Sequence, residues 1–139
     1  MYKTIINTLI SLANVIFMLK FAIPKLLASE VSVKAFTQFA QVLPVNGSIF
    51  MYFTGMLELT IALIFTASLF VGSKKIKAKV TIVGIFLLSG TLLGALATEF
   101  FVRPEPIAIL VILSSIFLIL ALVQLTIIRK DLLYSIIEK

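Results

Sequence analysis

The chain has 139 residues, of which 61% are apolar and 13% charged, with a net charge of +6 and a mean hydropathy of +1.21. A water-soluble domain carries roughly twice that charged fraction, so a soluble fold is excluded, and the length allows one compact domain rather than two. With neither cysteine nor histidine, the chain can form no disulfide, thiol redox centre, His- or Cys-ligated haem, imidazole acid–base pair or ordinary zinc site. Its basic residues gather beside apolar segments, which removes a nucleic-acid partner.

A hydrocarbon core about 30 Å thick needs about 20 apolar residues per helix, and four stretches qualify. The first spans 4–23 and ends at Pro24. Its stripe Asn7, Ser11, Asn14, Met18, Phe21 and Lys25 carries most of its polar residues and should face the bundle interior. Lys20, well round the helix from Lys25, should snorkel from the lipid face to the headgroups. The basic start at Lys3 and the Ala28-Ser29 pair admit a signal peptide. The long apolar run and the two lysines favour a retained span. Residues 25–47 form the longest connection. There Val33, Phe36, Phe39, Ala40 and Leu43 recur at helical spacing, predicting a short amphipathic helix, either a lid over the bundle or a connector among headgroups.

The second span covers 48–71 between Asn46-Gly47 and Gly72-Ser73, followed by a basic loop at 74–79. Gly55, Glu58, Ala62 and Thr66 share one face, and small residues beside an acid indicate close packing on another helix. The third span covers 80–102 and closes at Arg103-Pro104. Gly90, Gly94 and Ala97 give it a helix-contact signal. The fourth covers 107–128, opened by Pro106 and stopped by Arg129-Lys130-Asp131. Helices are the expected spanning form, because lipid satisfies no free backbone amide. The expected fold is therefore an all-α polytopic membrane protein, one domain over 1–139, a four-transmembrane-helix bundle.

Eight basic residues (Lys3, the four lysines of 74–79, Arg129, Lys130 and Lys139) fall on one side and four (Lys20, Lys25, Lys34, Arg103) on the other. The positive-inside rule then places both termini in the cytoplasm and residues 25–47 outside, in a cell's inner membrane. Ionisable groups inside a span are costly and mark candidate sites. Glu58 lies about ten residues into the second span, where it is either a buried structural pair or a ligand or proton site. Glu99 and Arg103, at i and i+4, suit a helical ion pair, although Pro104 could splay Arg103 outward. Lys25, Glu58, Glu99 and Arg103 should point inward in the outer half of the bundle, with Glu58 within hydrogen-bond or ion-pair reach of Lys25 or of a polar side chain such as Asn14. Such a cluster serves either as mutual neutralisation or as a site for a polar headgroup or a quinone ring.

The run Phe21-Ala22-Ile23-Pro24-Lys25-Leu26 resembles the first-helix signature of the DoxX family. Tyr52-Phe53-Thr54-Gly55-Met56-Leu57-Glu58-Leu59 is similar to that family's second-helix Gly-x-x-Glu-Leu motif, and Leu93-Gly94-Ala95-Leu96-Ala97-Thr98-Glu99 to its third-helix Gly-Ala-x-x-Thr-His motif, with Pro104 or Pro106 as the following loop proline. Glu99 stands where many members carry His, which removes any redox or proton role of that histidine here. The resemblance covers most of the chain. It implies a four-helix bundle and accessory work at a membrane, as a non-catalytic subunit or assembly factor for a membrane complex, redox complexes included. The alternative is a quinone- or lipid-binding protein. No nucleophile–base pair, metal motif or bound-cofactor motif is visible, and quinone is the one cofactor the inward charges would suit. Expected partners are the bilayer, other membrane proteins or a redox complex, and further copies of the chain.

Overall fold

The computed structural model describes the backbone of residues 2–137 and the side chains of residues 2–129; Lys130, Asp131 and Lys139, used above for the span boundary and direction, lie outside the described side chains. Every element among the described residues is helical: α1 (Tyr2–Leu26), α2 (Glu30–Val42), α3 (Gly47–Phe70), α4 (Lys74–Phe101) and α5 (Ala108–Ile137). Of these, α1, α3, α4 and the Ala108–Arg129 part of α5 are long and apolar enough to cross a membrane. Their outward faces carry exposed Leu, Ile and Phe, with Leu9 at 59%, Leu63 at 60% and Phe86 at 79% exposure. In water such a surface would aggregate; in lipid it is the expected outer face. The chain is a multi-pass membrane protein built as a four-helix bundle, with α2 packed at one end.

Three of the helices, α1, α4 and α5, run longer than their predicted spans, while α3 matches its span to within one residue at each end. Pro24 does not end α1: the helix continues to Leu26 and closes in a reversal where Ser29 N–H donates to Pro24 O at 2.9 Å and Ala28 N–H to Lys25 O at 3.2 Å. This paired pattern needs a left-handed residue after the helix, and Ala28 supplies it at φ 48° where glycine is usual. The reversal delivers Ser29 as the cap of α2, its Oγ accepting from Ser32 N–H. The basic stretch 74–79 is helical rather than a loop, forming the first turns of α4. Lysine is a good helix former, and a backbone leaving the headgroups gains by hydrogen-bonding to itself before it reaches lipid. The charges at 129–131 likewise end the apolar span without ending α5.

Two glycines set how closely the elements approach. A Cβ at Gly55 would lie 3.0 Å from Lys25 Cβ, so the small residue lets α1 lie directly on α3. At Gly47 a Cβ would meet Phe36 O at 2.8 Å, which seats the start of α3 beneath α2. Asn46 caps α3, its Oδ1 accepting from Ile49 N–H at 3.1 Å. In the main core Phe17, Met18, Ile61, Phe65, Leu88 and Ala121 pack together and the Phe17 and Phe117 rings stack at 3.7 Å, with Phe17 and Met18 reaching the floor of the space at the α2 end. A smaller core of Phe36, Phe39 and Met51 fastens α2 to α3. Of the amphipathic positions expected in α2, Phe36 and Phe39 are buried and Val33 is exposed.

Candidate functional site: a charged cavity at the α2 end

Lys25 sits in the last turn of α1 and Glu58 one turn beyond Gly55 on α3. The close approach at Gly55 brings the Lys25 ammonium to both carboxylate oxygens, at 2.6 and 2.7 Å. The same nitrogen donates to Phe21 O at 3.3 Å and lies 5.5 Å from the Phe21 ring centroid. With side chains only 13% and 8% exposed, the two groups neutralise each other away from bulk water. All three ammonium protons have acceptors.

The second pair joins α4 to α5. Arg103 follows the end of α4, yet its Nε donates back to Glu99 Oε1 at 3.0 Å rather than splaying outward. Glu99 Oε2 accepts from the Ile107 backbone N–H at 2.9 Å, so one carboxylate closes the 102–107 turn. The guanidinium lies 5.1 Å from the Phe39 ring centroid, which ties this turn to α2.

Both pairs line one cavity of about 1210 Å³, walled by α1, α2, α3, α4 and the start of α5. Drug-sized ligand sites are typically about 300–1,000 Å³, so the space suits a larger molecule. Leu57 and Leu110 line its inner wall, and the exposed Phe53 and Phe86 border the side that opens to the outer face of the bundle. The wall hydroxyls Thr54, Thr91 and Thr98 each donate to a carbonyl of their own helix, at 2.8, 2.9 and 2.8 Å. Gly90 and Gly94, read as a helix-contact motif, touch no helix: a Cβ at either would meet nothing within 4 Å. They face the cavity and widen it. Lys20 also borders the cavity while remaining exposed.

The structure takes Asn14 away from Glu58. Eleven residues before Lys25, it lies about 16 Å lower along the helix at 1.5 Å per residue. There Asn14 Nδ2 donates to Gln124 Oε1 at 3.2 Å, and Gln124 Nε2 is shared among Ser11 Oγ at 2.8 Å, Asn7 Oδ1 at 2.9 Å and Asn7 O at 3.3 Å. Sequence reasoning missed Gln124, the partner that explains the polar stripe of α1. The available signal was a single carboxamide in the most apolar span, because an amide in lipid needs a partner on another helix. This network locks α1 to α5; the charged pairs surround the cavity. Comparison with family models, curated proteins and solved structures finds no match to the chain.

Proposed function

We propose that this chain is a non-catalytic membrane protein that receives one amphipathic molecule, a lipid or a quinone, from the bilayer into the α2-end cavity. The supporting observation is the cavity itself. It pairs an apolar lining with two ion pairs at the headgroup end, in a bundle whose other half is closely packed. The basic asymmetry of the sequence supports an inner-membrane orientation with both ends cytoplasmic and α2 outside. An insertion in residues 29–41 should then be cut by external protease in intact cells, and one in 74–79 should be spared. Cleavage at 74–79 would invert the assignment.

The test of binding is mass spectrometry of an organic extract from protein purified out of its own membranes. A near-stoichiometric lipid or quinone is expected, and Gly90→Leu with Gly94→Leu should remove it by filling open space. A wild-type extract indistinguishable from that of the filled variant would defeat the proposal.

The resemblance to the DoxX family supports a second reading, an accessory subunit or assembly factor working on a membrane or redox complex. One structural observation favours it. The α5 span is only 17% buried inside the bundle, against 33% for α1 and α3, leaving the broadest helix face for a neighbouring membrane protein. A pull-down from native membranes tests this reading, and a partner lost on substituting exposed α5 residues such as Ile112 and Ile119 would support it.

A further inference from the structure

Which polar end the cavity accepts follows from which charges are spent. Glu58 accepts twice from Lys25, and Glu99 accepts from Arg103 and from the Ile107 amide, so both acids are satisfied. The bases are not used up to the same extent. Arg103 spends only Nε on Glu99, and its two terminal nitrogens make no hydrogen bond to a described residue. Lys34 and Lys20 border the cavity and form no ion pair among the described residues. Of the other acids near this end, Glu30 does not line it, and Glu105 borders only the smaller recess beside Gln38 and Arg103, where it offsets part of the positive charge. The lining therefore carries four bases against two acids, a net surplus of two positive charges beside a long apolar wall.

Resting on the ligand-binding reading above, we infer that the occupant is an anionic phospholipid. Its phosphate is held at the mouth by Lys34 and Arg103, with Lys20 adding charge, and its acyl chains lie along the widened Gly90–Gly94 wall. Three features select this class over a neutral quinone. A guanidinium with free terminal N–H groups matches phosphate oxygens in pairs. Gln38, one turn after Lys34 on α2, borders the same space as Arg103 and adds an amide donor. The exposed lysines would bring only like-charge repulsion to an empty apolar groove, whereas beside a phosphodiester they complete it.

The test uses the full chain in neutral detergent, with bound lipid read by native mass spectrometry. The probes are a phosphatidylglycerol, a phosphatidylcholine with the same chains, a ubiquinone and soluble glycerol 3-phosphate. Phosphatidylglycerol should bind most tightly. Lys34→Met should weaken it about fivefold and Lys20→Met/Lys34→Met about thirtyfold, taking each ammonium near an anionic headgroup at its usual worth. Phosphatidylcholine binding should be unmoved by these variants. Both lysines are exposed, so the fold should survive, and an unchanged thermal midpoint checks this. Lys74→Gln/Lys75→Gln removes the same charge from the opposite end and should leave phosphatidylglycerol binding intact; an equal loss there would reduce the effect to diffuse attraction and overturn the inference. Binding of glycerol 3-phosphate without a chain would replace the lipid site with a soluble-anion site. If ubiquinone or phosphatidylcholine binds as well as phosphatidylglycerol, and Gly90→Leu/Gly94→Leu abolishes it, the anionic assignment fails while the cavity reading stands. If no lipid or quinone binds, both fail.

Discussion

The two ends of the bundle handle buried polarity in opposite ways. Towards the Lys74 end, Asn7, Ser11, Asn14 and Gln124 are neutral, interlocked and surrounded by close-packed apolar side chains. At the α2 end, charged pairs border a large cavity and two glycines face open space. A neutral network without free room is what a bundle needs to fix helix register in lipid. Charges beside unfilled volume do not improve packing. The contrast separates polarity embedded in a packed interior from polarity that borders open volume within one chain of 139 residues.

The largest expected effect concerns the Lys25–Glu58 pair. Lys25→Met or Glu58→Leu alone strands the partner charge and should cost on the order of 3–5 kcal/mol. The double variant should recover much of this, because neither charge then needs desolvation. Thermal unfolding in detergent over the full double-mutant cycle measures the coupling, and additive single losses would remove the direct pair. Next comes the amide network. Gln124→Ala strands several groups and should cost about 2–3 kcal/mol, against about 1 kcal/mol for Asn14→Ala, which gives up a single bond. Equal losses would mean that Gln124 is not the hub.

A smaller pair of effects has opposite signs. Gly55→Ala pushes a methyl against Lys25 Cβ and should destabilise by about 1–3 kcal/mol. Gly90→Ala enters open space and should stabilise the helix by about 0.5–1 kcal/mol. Thermal midpoints measured side by side decide the matter, and a destabilising Gly90→Ala would show that the α2 end is as tightly packed as the other.

Much of this contrast was legible in the sequence, though unevenly. Hydropathy alone locates four spans, since lipid leaves the backbone no alternative to helices. The boundaries drift because the signals used mark the edge of the apolar stretch, whereas the backbone at Lys74 and after Arg129 stays helical beyond that edge. Gly55 and Glu58 point to a close helix contact because spacing on one helix is local information. Gly90 and Gly94 carry the same local signature and line a cavity instead, since spacing does not state whether a partner helix arrives. Lys25 and Asn14 were both open as partners for Glu58 for the same reason: one stripe on α1 holds both, and the tertiary arrangement sends Lys25 to Glu58 on α3 and Asn14 to Gln124 on α5.

Whether the α2-end cavity is an occupied site is measured most directly by linkage. A bound molecule at about one hundred times its dissociation constant stabilises the fold by about 2.7 kcal/mol. Exhaustive delipidation should therefore lower the thermal midpoint of the wild type, and adding phospholipid back should restore it. The Gly90→Leu/Gly94→Leu variant, its cavity filled by its own side chains, should show neither change. Equal loss and equal recovery in both proteins would contradict the account, because stabilisation by lipid would then come from the outer surface of the bundle.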